Sequence, residues 1–103
     1  MYVMCVPPLR FEWDPRKAAA NLYKHKVSFT EAESAFYDDS AIVRDDPDHS
    51  EQEDRFLLLG MSAALRVLVV VHCVREGGSV IRLISARKAT PSERVQYGAR
   101  WKE

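Results

Sequence analysis

Three strand-like apolar runs, Arg55 to Met61, Arg66 to Arg75 and Ser79 to Arg87, follow one another with very short connections, Ser62 to Leu65 and Glu76-Gly77-Gly78. Connections of this length do not accommodate the crossover that parallel neighbours need, so the runs read as an antiparallel meander, with the Gly pair as a hairpin signal. Any fold for this chain has to be built around that sheet.

Upstream of the meander the apolar period is helical. Phe11-Glu12-Trp13 is a short strand-like alternation, and Asp14-Pro15 then offers an N-cap acceptor followed by proline at the first helical position, opening a helix from Pro15 to about Lys26. Ser28 with Glu31, or Thr30 with Glu33, forms a second capping signal, with Phe29, Ala32 and Phe36 at helical spacing through Tyr37. Asp38-Asp39-Ser40 breaks this helix, Ala41 to Arg44 reads as a strand, and Asp45 to Asp54 is a polar acidic loop. Beyond the meander, Thr90-Pro91-Ser92-Glu93 combines N-cap, first-position proline and capping-box glutamate, and the helix it opens carries Val95, Tyr97, Ala99 and Trp101. The order is β-α-α-β-β-β-β-α. It indicates an α+β fold, an antiparallel sheet with helices packed on one face and the other face open for work. Residues 1–9, with a proline pair and no periodicity, are expected to be a flexible leader to a single domain spanning residues 10–103.

The charge balance is more informative than its zero sum. Asp38 to Asp54 holds eight acids against Arg44 alone, which leaves 14 bases and 7 acids elsewhere. An excess of that sign outside one acidic loop suits an anionic partner such as a nucleic acid, although a solvated mixed-charge surface would look the same. Cys5 and Cys73 stand far apart in dissimilar contexts and do not form a disulfide framework, so a reducing compartment, the cytoplasm, is expected. The apolar stretches, Val67 to Val71 among them, are far short of the ~20 residues that span a bilayer, and neither a membrane segment nor a secretion signal is expected.

Four strings, FEWDPRKAAANLYKHKVSF, DDPDHSEQEDRFLLLG, LVVVHCVREG and IRLISARKATPSER, occur in this order and together resemble the BrnT toxin family over about Phe11 to Tyr97. The specific elements are the Trp13-Asp14-Pro15 helix start, Lys24-His25 ahead of Val27-Ser28-Phe29, and Ile84-Ser85-Ala86-Arg87 leading to Ala89-Thr90 and Glu93-Arg94. One position departs from the family pattern: Lys26 stands where members usually carry Gly, a residue suited to a left-handed helix C-cap. The resemblance implies a RelE-like fold and a ribonuclease that arrests growth. It also implies tight inhibition by a BrnA-type antitoxin, with operator DNA reached only through that antitoxin. No cofactor is implied.

Cutting RNA without a metal requires a base for the 2′-hydroxyl proton, an acid for the leaving oxygen and fixed positive charge for the phosphorane. Candidates for catalysis are Arg82, Arg87, Lys24, His25 and Glu53; candidates for RNA binding are Lys17, Arg55, Lys88, Arg94 and Tyr97. Lys17, Asn21 and Lys24 form one stripe on the first helix, expected to face solvent or phosphate, while Ala18, Ala19 and Leu22 are expected to pack on the sheet. In a regular strand Arg82 and Arg87 point to opposite faces. Either a bulge near Ser85 re-aims one of them or Arg87 lies past the strand end, and the second is favoured. Arg82, set among apolar neighbours, calls for a phosphate or carboxylate partner.

His72 shares a strand face with Leu68 and Val70 and reads as a core histidine; His49 sits in the acidic loop as a charged partner; His25, beside Lys24, is the best general acid–base candidate. No Cys/His pair has zinc-ligand spacing, and Asp45, Asp46, Asp48 and Glu51 would attract a hard cation only weakly. Glycine-rich nucleotide motifs and a Ser-His-Asp signature are missing. Trp101 is the most exposed aromatic candidate for base stacking. Against the ribonuclease stand two alternatives: a non-catalytic RNA- or protein-binding module, and an inactive family member that retains antitoxin binding.

Overall fold

The computed structural model describes residues 9–46 and 55–99. Strand β1 is Arg10–Glu12, helix α1 Pro15–His25, and helix α2 Phe29–Ser34, continued by a single 3₁₀ turn at Ala35–Tyr37. Strands β2 (Ile42–Asp45), β3 (Arg55–Met61), β4 (Val67–Arg75) and β5 (Val80–Lys88) follow, and helix α3, Pro91–Ala99, comes last. The leader expected at 1–9 lies outside the described residues except for Leu9, which packs against the core.

The expected α+β order is realised, and β2 to β5 form the antiparallel meander. The sheet is nevertheless mixed, in the order β1-β5-β4-β3-β2, because β1 pairs parallel with β5, Glu12 opposite Arg82. The expectation that every helix covers one face also needs correction. Val27, Phe29, Ala32 and Ala35 of the α1–α2 segment pack with Leu58, Leu68, Val70, Ile81, Leu83 and Ala86 on one face. Tyr97 of α3 packs with Leu59 and Val69, whose side chains alternate to the other. Burial of side chains such as Phe29 and Leu83, each worth roughly 1.5–3 kcal/mol, concentrates the stability on the α1–α2 side.

Local chemistry sets the element ends. The Asp14 carboxylate accepts from Arg16 N–H at 2.8 Å, and Ser28 Oγ from Glu31 N–H at 3.0 Å, so of the two possible caps for α2 it is Ser28 that serves. Glu31 does not reach back to close the box. It pairs instead with Arg66 and accepts from Ser62 Oγ at 2.6 Å, tying α2 to the β3–β4 turn, and the Arg66 guanidinium holds its carboxyl below the usual range. Helix α1 ends at Lys26, φ 60° and ψ 31°, whose N–H donates to Leu22 O. Lys26 therefore adopts the left-handed conformation that Gly would take more cheaply. Gly60 is required on other grounds, since a Cβ there would come within 3.0 Å of Ala35 O, blocking the approach of the 3₁₀ turn to β3.

Candidate functional site

β1 stops at Glu12, so beyond Arg82 the β5 edge carries no strand among the described residues. The Asn21 side chain takes that place, donating to Ala86 O at 2.9 Å and to Val27 O at 2.8 Å, and accepting from Ala86 N–H at 3.0 Å. Asn21 is thus buried, a correction to its expected place on a solvent-facing stripe; Leu22, expected to pack on the sheet, is half exposed. Lys17, Lys24 and His25 flank the buried amide and line a shallow hollow whose floor is Ile84 and Ser85. The structure brings these basic candidates of α1 to the β5 edge.

The alternation of β5 is interrupted where Val71 pairs with Ser85 but His72 pairs with Leu83. Ile84 is the additional residue of a bulge. Its effect is to put Arg82 and Arg87 on the same face, so the bulge, not an early strand end, reconciles the two arginines; Arg87 lies within β5.

The face opposite α1 and α2 can then be laid out in transverse rows from the ladder. Arg10, Val80 and Arg75 form the first; Glu12, Arg82, Cys73 and Arg55 the second; Ser85, Val71, Leu57 and Arg44 the third. The fourth, Arg87, Val69, Leu59 and Ile42, is the row under α3. The first three rows bear five arginines against one carboxylate, Glu12. Between the third row and α3, residues including Arg44, Leu57, Glu93 and Gln96 border a cleft of about 100 Å³.

The ion pairs on this face differ in kind. Glu12 Oε2 lies 3.3 Å from Arg82 Nη1 and 3.9 Å from Arg75 Nε, all three side chains substantially exposed. Such pairs are worth little to stability and can be exchanged for a phosphate. Arg82 has the carboxylate partner its setting called for. Arg10 pairs with Glu76 and Arg55 with Asp46; Arg55 Nε is buried with no hydrogen-bond partner among the described residues. Arg87 is clamped by Glu93 through two bonds of 2.8 and 3.0 Å. Glu93 also accepts from Thr90 N–H, while its own N–H donates to Thr90 Oγ1, the expected capping box. These donors, Arg87 first, pull the Glu93 carboxyl down to about 2, and Glu93 keeps the Arg87 guanidinium charged. Arg87 is held in an anchor between β5 and α3.

Other candidates fall elsewhere. Tyr97, expected to contact RNA, is buried, and its hydroxyl donates to Asp38 at 2.5 Å, which with amide donors outweighs burial and keeps that carboxyl low. It is a packing residue because α3 folds onto the sheet. Lys88 pairs across from Leu68, which packs beneath α1–α2, and so leaves the arginine face. Arg94 donates to Ala89 O. Glu53, His49 and Trp101 lie outside the described residues. His72 is a buried core residue as expected, edge-on to Phe36 at 4.8 Å, and burial pushes its pKa down. Sequence reasoning missed Glu12, Arg44 and Arg75. Each lies on a strand whose alternation was readable, but the row that joins Glu12 to Arg82 comes from a parallel pairing across about 70 residues, which no local pattern announces.

Among the described residues no group of three or more His, Cys, Asp or Glu side chains is placed to hold a metal ion, and no helix is long and apolar enough to cross a membrane. A search of curated protein sequences found no match. The fold is similar to the crystal structure of the Brucella abortus ribonuclease toxin, BrnT, with a TM-score of 0.61 and 25% identity, over 80% of this chain and 97% of that one. Residues 13–93 match the family described as ribonuclease toxin, BrnT, of type II toxin-antitoxin system. With the fold and the ordered motifs in agreement, the chain belongs to the BrnT family of ribonuclease toxins of type II toxin–antitoxin systems.

Proposed function

We propose that this chain is a metal-independent endoribonuclease that binds RNA across the arginine-bearing face of its sheet and cuts it by attack of the 2′-hydroxyl on the adjacent phosphate. The observation that carries this reading is the register of β5, β4 and β3, which sets Arg82 on the same face as Arg55 and Arg75, while the bulge at Ile84 turns Ser85, in the hollow lined by Lys17, Lys24 and His25, to that face as well. Fixed guanidinium groups supply the positive charge that a developing phosphorane needs, and they are already in place before substrate arrives. Arg82 is the phosphate ligand nearest the reacting atoms; Arg55, Lys17 and Lys24 hold the flanking backbone, and His25 serves as proton donor to the leaving oxygen.

In the cell the chain acts in the cytoplasm, arrests growth by cutting RNA, and is neutralised by an antitoxin of the BrnA type that meets operator DNA on its behalf. An acidic partner segment laid over the arginine rows would block them by the same charge complementarity that attracts RNA.

The test is incubation of the purified chain, free of any partner, with cellular RNA in the presence of EDTA. Fragments ending in 2′,3′-cyclic phosphate are expected, and Arg82→Ala should slow their appearance by roughly 100- to 1,000-fold. Intact RNA under these conditions contradicts the reading. Salt-dependent binding without fragments would assign the same face to a binding module.

A further inference from the structure

On the ribonuclease reading, one group among the described residues is suited to act as the base. A base for the 2′-hydroxyl has to sit beside the cation that holds the phosphate, since the 2′ oxygen and the non-bridging phosphate oxygens are neighbours in the attack geometry. Among the described residues four carboxylates pair with arginines of the sheet. Glu93 is committed to two bonds from Arg87 and to the Thr90 N–H. Asp46 is buried beside Arg55 and Glu76 sits with Arg10 at the end of the sheet. Glu12 differs from all three: it is about half exposed, its contacts with Arg82 and Arg75 are long, and it stands in the same transverse row as Arg82, Cys73 and Arg55.

We propose that Glu12 is the general base of RNA cleavage, placed next to Arg82 by the parallel pairing of β1 with β5. Phosphate entering between Arg82 and Arg75 takes over the guanidinium contacts, and one Glu12 carboxylate oxygen accepts the 2′-hydroxyl proton. The 2′ oxygen then forms its bond to phosphorus, and the bond from phosphorus to the 5′ oxygen breaks. The leaving oxygen takes a proton from the general acid or from water, giving a 2′,3′-cyclic phosphate and a 5′-hydroxyl. β1 thereby contributes a reacting group as well as an edge strand.

The experiment compares wild type, Glu12→Gln, Glu12→Asp and Glu53→Gln on a short RNA that the wild type cuts, and on the same RNA with sulfur replacing the bridging 5′ oxygen at the cut. Sulfur departs without a proton, so loss of an acid is forgiven and loss of a base is not. Glu12→Gln should be slower by roughly 100- to 10,000-fold on both substrates, and Glu12→Asp should fall between it and wild type. Its affinity for the 2′-O-methyl form of the RNA should be unchanged or higher, because a negative charge has left the binding face. Full cleavage by Glu12→Gln, rescue by the sulfur substrate, weakened binding of the 2′-O-methyl RNA, or a loss confined to Glu53→Gln would each overturn the assignment. If Glu12→Gln does not fold, Glu12→Asp alone decides, wild-type rates counting against the base. An inactive wild type would instead refute the underlying ribonuclease reading.

Discussion

The two faces of the sheet are made from the same strands and behave as different materials. On the α1–α2 side the central positions are apolar or, like His72, buried among aromatic rings, with Asp45 and Lys88 only at strand ends. On the other side α3 covers the end of the sheet around Leu59 and Val69, and the rows beyond it set apolar residues among arginines, of which Arg10, Arg75 and Arg82 stand in exposed ion pairs. The first face is where burial stabilises the fold, and the second is where charge is kept available. A domain of this size can devote most of one sheet face to binding because the other, together with the smaller cluster around Tyr97, suffices to hold the chain together.

The sharpest way to break that comparison is to truncate one residue on each face. Phe29→Ala, on the covered side, should cost about 3–5 kcal/mol in chemical denaturation. Arg75→Ala, on the open side, should cost no more than about 1 kcal/mol while weakening RNA binding. Equal losses of stability would mean that the arginine face is structural.

Acid should separate the faces next. The folded state holds His72 neutral, below its ordinary value of 6.5, so the unfolded chain binds the extra proton and stability falls as pH drops through and below 6.5. Glu93, at about 2 when folded against an ordinary 4.5, adds stability that is complete above 4.5 and lost towards 2. That lower step amounts to about 1–2 kcal/mol once solvent screening of a partly exposed pair is allowed for. Urea midpoints across pH should show both windows; His72→Gln should flatten the upper one, and Glu93→Gln should shrink the lower one, which Glu31 and Asp38 share.

The smallest effect concerns the α1–α2 connection on the covered face. Lys26→Gly should stabilise the chain by about 0.5–1 kcal/mol, because φ 60° strains a residue with a Cβ. A loss instead would show that the contact of Lys26 with the Tyr23 ring outweighs the strain.

Much of the scaffold was legible because its signals are local. Asp14-Pro15, Ser28 with Glu31, and Thr90 with Glu93 each mark a helix start by hydrogen bonds within one turn. The meander was fixed in outline by the short connections after Met61 and Arg75. What escaped was non-local. The parallel partner of β1, the burial of Asn21 against a strandless edge, and the descent of α3 onto the opposite face all depend on which surfaces meet after the chain closes on itself. The same holds for the site: Arg82 and the α1 stripe could be named from residue type, whereas Glu12 and Arg75 become neighbours of Arg82 only through pairing, and the bulge that turns Arg82 and Arg87 to one side reverses what regular alternation predicts.

The central claim is that RNA lies on the open face and leaves the helix-covered face untouched. Titration of the isotopically labelled chain with a short 2′-O-methyl RNA, followed by amide shifts in NMR spectra, tests it most directly. The largest perturbations are expected at Glu12, Arg55, Cys73, Arg82 and Ser85, with a smaller set at Lys17 and Lys24. Perturbations centred on α2 and the outer side of α1, with the arginine rows unmoved, would contradict it.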